Sequence, residues 1–100
     1  MSANETKKFS LGRIVATPGA LEALRNAGQT SGEFLARHVT GDWGDLHEDD
    51  RQLNDAALID GSRILSAYVT RKGTRIWIIT EAVNEVGLRY CTTTLLPEEY

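Results

Sequence analysis

The sequence predicts an α+β domain in which three amino-terminal helices pack on one face of an antiparallel sheet of three to four strands, ordered β-α-α-α-β-β-β. Three observations lead there. Helix caps and glycine stops alternate with short apolar stripes between Thr17 and Gly61. From Ser62 onward the chain turns to β-branched and aromatic residues, the types that pack well on a pleated surface. Two glycine-bearing turns, Arg71-Lys72-Gly73 and Asn84-Glu85-Val86-Gly87, cut that second half into three strands. Strands joined this way form a meander with one face left for helices.

Residues 9–16 alternate apolar and polar and then become continuously apolar, as a short strand does. This strand must join the sheet or leave its apolar side with nowhere to be buried. Thr17-Pro18 supplies an N-cap and a proline at the first helical position, where the missing N–H costs nothing. Ala20, Leu21, Ala23, Leu24 and Ala27 make the first helix, and Gly28 stops it. Thr30, with Glu33 three residues on, reads as a capping box. Phe34, Leu35, His38 and Val39 then share one face of a second helix that Gly41 ends. A third helix is expected over residues 46–58, with Asp45 as N-cap, Glu48 as its partner, and Leu46, Leu53 and Ala57 on the inner side. Strands follow at 62–70, 74–83 and 88–96. Trp77, Ile78 and Ile79 in succession put apolar groups on both faces of the middle strand, which makes it central. Residues 1–8 read as a polar tail ahead of a single domain, 9–100.

The chain has the length of one ordinary domain, and 41% hydrophobic with 25% charged residues is a globular composition rather than a disordered one. No apolar run approaches the roughly 18 residues of a membrane helix. The polar amino terminus lacks the apolar core of a signal peptide. Cys91 is the only cysteine, so no internal disulfide forms, and a cytoplasmic location is expected. As a strand residue, Cys91 reads as a small core hydrophobe. A net charge of −3 argues against general nucleic-acid binding, which leaves a basic footprint. The charge is polarised, however. Residues 41–60 hold seven acids against Arg51, whereas residues 61–80 hold Arg63, Arg71, Lys72 and Arg75 and no acid.

Residues 41–50 concentrate five acids, His47 and Trp43 beside two glycines, and three readings compete for them. As a metal site the segment offers Asp42, Asp45, His47, Glu48, Asp49 and Asp50, but the spacing matches neither HExxH nor a calcium loop, so no metal and no cofactor are expected. As a helix opening, the acids answer the partial positive charge and free N–H groups there. As a docking patch, Asp42, Trp43, Asp45 and Asp49 would be the contact residues, with Trp43 either plugging the core or anchoring an interface. Arg63, Arg71, Lys72 and Arg75, interleaved with Tyr68 and Trp77, would contact nucleic acid or simply guard a sheet edge. No P-loop, dinucleotide fingerprint or serine elbow is present.

The run Leu11-Gly12-Arg13-Ile14-Val15-Ala16-Thr17-Pro18-Gly19-Ala20-Leu21-Glu22-Ala23-Leu24 resembles a family of short bacterial proteins carried on plasmids and other mobile elements. So do Arg37-His38-Val39-Thr40-Gly41-Asp42-Trp43-Gly44-Asp45-Leu46, Trp77-Ile78-Ile79-Thr80-Glu81-Ala82 and Thr94-Leu95-Leu96-Pro97-Glu98-Glu99-Tyr100. Members are described as plasmid-related proteins or as type I restriction subunit M. A methyltransferase is not expected from 100 residues without a nucleotide-binding fingerprint. The segment 83–91 is longer than the family's common pattern, which leaves the pairing of the last strand open.

Two functions from different classes follow. The first is a non-enzymatic accessory protein of a mobile element that binds a macromolecular partner, such as a host defence or nucleic-acid-handling protein. The second is a small ribonuclease, similar to RelE-like and barnase-like enzymes at the level of fold order only. There His38 or His47 would be the base, Arg63, Arg75 or Arg89 the phosphate clamp, and Tyr68 or Tyr90 a stacking or acid group.

Overall fold

Three helices and a four-stranded sheet account for the domain, in a computed structural model that describes residues 6–100. The elements run β1 (Arg13–Ala16), α1 (Pro18–Ala27), α2 (Ser31–Val39), α3 (Glu48–Asp60), β2 (Ile64–Val69), β3 (Arg75–Thr80) and β4 (Cys91–Leu95), with a short 3-10 turn at Pro97–Glu99. Of the expected tail, residues 1–5 lie outside the described residues. The Lys8 N–H donates to the Val39 carbonyl at 2.8 Å, which ties the chain down one residue ahead of the expected domain start.

The sheet is mixed rather than antiparallel. Its order is β1-β4-β3-β2, with β2–β3 and β3–β4 antiparallel and β1 parallel to β4. The two hairpins use both sides of β3 and leave β4 one open side. β1 fills it, with the Arg13 and Thr17 N–H groups donating to the Tyr90 and Thr94 carbonyls. Thr17-Pro18 then turns the chain directly into α1, where the Thr17 hydroxyl accepts from the Ala20 N–H as expected of its cap. Phe9 lies outside this strand and packs into the core with Trp43.

Alternation along the strands divides the sheet into two faces. The inner one carries Ile64, Ser66 and Tyr68, then Ile76, Ile78 and Thr80, then Thr92 and Thr94, all buried. α1 and α2 cover it, Leu24, Phe34 and Leu35 packing against Tyr68, Ile76 and Ile78. The outer face carries Arg63, Leu65, Ala67, Arg75, Trp77, Ile79 and Leu95. Ala67, Ile79 and Leu95 are buried there, whereas Leu65 and Trp77 are half-buried, and Tyr100 meets Trp77 edge-on at 5.9 Å.

The third helix differs most from expectation. It begins at Glu48, and His47 occupies the N-cap position without a side-chain hydrogen bond. Asp45 is unavailable as a cap because its N–H donates to the Ala67 carbonyl at 2.6 Å and its carboxylate pairs with Arg75. The Trp43 carbonyl accepts from the Ala67 N–H, so Trp43–Asp45 is added to the outer edge of β2 as a short parallel bridge. Gly44 makes this approach feasible: a Cβ there would sit 2.0 Å from the Ala67 carbonyl oxygen, and its φ of +79° disfavours any side chain. Arg51 reaches back to the Gly44 and Leu46 carbonyls and holds the loop in place. The inner stripe of α3 is therefore Asn54 and Ala57, not Leu53. Asn54 donates to the Leu65 carbonyl at 2.7 Å and accepts from the Leu65 N–H at 3.1 Å, continuing the closure of the same edge with a side-chain amide.

Candidate functional site

The residues singled out in the sequence fall into two separate places. His38, Trp43, Tyr68 and Arg89 belong to the interior, whereas Asp45, His47, Arg63 and Arg75 line an open groove on the outer face.

His38 is fully buried on α2, and both ring nitrogens are engaged. Nδ1 lies 2.6 Å from the Ser66 hydroxyl and Nε2 lies 2.8 Å from that of Thr80, which in turn lies 2.7 Å from the Thr92 hydroxyl. The Thr92 hydroxyl donates to the Leu11 carbonyl, and that last bond fixes the direction of the chain. Thr92 accepts from Thr80, Thr80 accepts from Nε2–H, and Nδ1 accepts from Ser66. The imidazole is thus neutral with its proton on Nε2. Burial, reinforced by the Arg89 charge, holds its pKa down at about 3. Phe9 and Trp43 close over the ring edge-on at 5.1 Å and 6.1 Å. A general base needs an open lone pair and a proton affinity near neutrality, and this histidine has neither.

Trp43, an expected contact residue, plugs the core instead. It is 4% exposed, and its indole N–H donates to Asp55 at 3.1 Å. Asp42 accepts from Arg37 at 2.7 Å and from the Gly44 N–H at 3.2 Å, and the Arg37 guanidinium holds its carboxyl below the ordinary carboxylate range. Tyr68 donates to the Asp42 carbonyl, and burial pushes its phenol up to about 12, which removes it as an acid near neutrality. Arg89 is buried and donates to the Ala57, Ser62 and Glu81 carbonyls, closing the carboxyl-terminal end of α3 rather than facing a phosphate. Arg71 does the same for α1 through the Ala27 and Gly28 carbonyls, and Lys72 is exposed in the hairpin turn.

The groove has a volume of about 690 Å³. Leu65, Ala67 and Trp77 of the outer face line it together with Leu46, Leu53 and Asn54 from the α3 side. Its charged lining is Asp45 and Asp50, with Arg63 and Arg75 from the strands, and His47 lines it beside them. Arg75 is paired with Asp45 at 3.1 Å. Arg63 donates to the Tyr100 hydroxyl and lies over its ring at 5.6 Å. Asp49 is exposed in the first turn of α3 beside this groove but does not line it. Strand parity separates these two sets: odd-numbered Arg63, Arg75 and Trp77 face out, and even-numbered Tyr68 faces in. That signal was available in the sequence, whereas the parts played by Asp50, Leu53 and Asn54 required the observed register of α3.

Among the described residues, no group of three or more His, Cys, Asp or Glu side chains is placed to hold a metal ion, and no helix is long and apolar enough to cross a membrane. Compared with protein-family models, curated proteins and solved structures, the chain matches none.

Proposed function

We propose that this is a non-enzymatic accessory protein that acts by binding a macromolecular partner, and that it docks through the outer-face groove. The observation that carries this reading is the exposure of α3. The helix has two buried residues, Asn54 and Ala57, yet it leaves Leu53 67% and Ile59 91% exposed, with Leu53 on the lip of the groove. An exposed Leu53 beside the half-buried Leu65 and Trp77 of the floor has the usual anatomy of a docking face. On the resemblance noted in the sequence, we propose that the activity belongs to a mobile genetic element and that the partner is a host defence or nucleic-acid-handling protein. Affinity capture from bacterial lysate with the wild type and Leu53→Glu tests it. One stoichiometric protein should be held by the wild type and lost by the variant. Recovery of none, or equal recovery on both, contradicts the reading.

A second reading, the small ribonuclease, is favoured by one observation: His47, Arg63 and Arg75 line the same groove as Trp77. Its chemistry needs cations that converge on one phosphate. Arg63 precedes the Ile64–Thr80 pair by one step and so stands level with residue 81, whereas Arg75 pairs with Val69 at the far end of the ladder. At about 3.3 Å per residue the two α-carbons are about 20 Å apart, which suits an elongated occupant better than a single phosphate. RNA incubated with the wild type, His47→Ala and Arg75→Ala decides it; RNA left intact at high protein concentration removes the ribonuclease.

A further inference from the structure

We infer that the occupant of the groove is a basic peptide segment with an apolar anchor: a stretch of partner chain that places one aliphatic or aromatic side chain between Leu53 and Trp77 and sets lysine or arginine beside the first turn of α3. This rests on the reading of the groove as a docking face and adds the chemistry of the partner.

The charge is unmatched at the end of the groove beside the first turn of α3. Arg75 is matched by Asp45, whereas Arg63, at the other end of the strand ladder, keeps its charge against the neutral Tyr100 hydroxyl. Arg51 is turned back onto the carbonyls of its own loop. Among the described residues, Asp49 and Asp50 have neither an ion pair nor a side-chain hydrogen bond, and Glu48 has only Gln52, a neutral partner. The rim beside Leu53 is therefore acidic, and the floor beneath it is Leu65, Ala67 and Trp77. An apolar floor with an acidic rim selects an apolar anchor flanked by cations, because an acidic or neutral segment with the same anchor would bring repulsion or nothing to that rim.

Selection of a random peptide display library on the folded protein tests the inference, with every enriched peptide rebound to Leu53→Glu and to the double variant Asp49→Asn/Asp50→Asn. Both variants change exposed residues, and a melting curve matching the wild type shows that they fold. Enriched peptides should share an aliphatic or aromatic residue flanked by Lys or Arg. They should bind Leu53→Glu at least tenfold more weakly and the double variant about fivefold to twentyfold more weakly. Their affinity should fall with added salt. Enriched peptides that are acidic or uncharged yet still lost on Leu53→Glu overturn the basic assignment and leave the groove as a docking face. Peptides indifferent to Leu53→Glu, or no enrichment at all, overturn the inference and the docking reading together.

Discussion

The two faces of the sheet are built from the same strands by opposite means. The inner face buries a hydrogen-bonded file of Ser66, His38, Thr80 and Thr92 among Tyr68, Ile76 and Ile78, and two helices seal it. The outer face leaves Leu65 and Trp77 half-buried along a groove, and its neighbour α3 leaves Leu53 exposed on the lip. The difference teaches that the chemically suggestive histidine is not where function should be sought. Buried polar groups fully satisfied by one another specify a core, whereas apolar groups left open beside unmatched charge specify a surface for something else.

Four perturbations sharpen or break this contrast. His38→Ala should have the largest effect. It leaves a cavity and strips partners from two buried hydroxyls, so urea unfolding should show a loss of about 3–4 kcal/mol; a loss below about 1 kcal/mol would mean the file is not structural. Asn54→Ala should cost about 2–3 kcal/mol, because the Leu65 N–H and carbonyl lose the side chain that closes the β2 edge. Unfolding at equal urea steps on both variants places them on one scale.

Acid should act through the same interior. The folded pKa of His38 is about 3, well below the ordinary value of 6.5, so the unfolded chain takes up a proton that the folded one refuses. Stability is then complete above about pH 6.5 and declines as pH falls towards 3, by about 2 kcal/mol between pH 7 and pH 5. Urea midpoints over that range should show the decline, and His38→Gln should flatten it. An unchanged slope in His38→Gln would assign the acid sensitivity elsewhere. Leu53→Ala should have the smallest effect, within about 0.5 kcal/mol of the wild type. A thermal melt checks this, and a large loss would make Leu53 a core residue after all.

Much of the fold was legible in local signals. Thr17-Pro18 and Gly28 mark the two ends of α1 and Thr30 the start of α2 as they stand, and the hairpin loop at Arg71-Lys72-Gly73 separates β2 from β3. What was not legible depended on distant partners. Asp45 looks like a helix cap until the Ala67 carbonyl and Arg75 claim it, and that competition shifts the start of α3 and turns Leu53 from the interior to the surface. The parallel pairing of β1 with β4 likewise has no local mark, because it joins residues 78 positions apart, Arg13 with Cys91. At the candidate site, alternation alone would have set Arg63, Arg75 and Trp77 on the face opposite Tyr68. The acids of residues 41–50 drew notice for their density, yet Asp42 and Asp45 are spent on structure and only those of the first turn of α3 are left unmatched.

Backbone amide chemical-shift mapping of the labelled protein, titrated with its captured partner or a selected peptide, addresses the open face directly. Shifts should gather at Leu46, Asp50, Leu53 and the Trp77 indole while the signals of Ser66, Thr80 and Thr92 stay still. A response centred instead on Ile14, Leu88 and Tyr90, the exposed apolar residues around β1, with the groove silent, would contradict it.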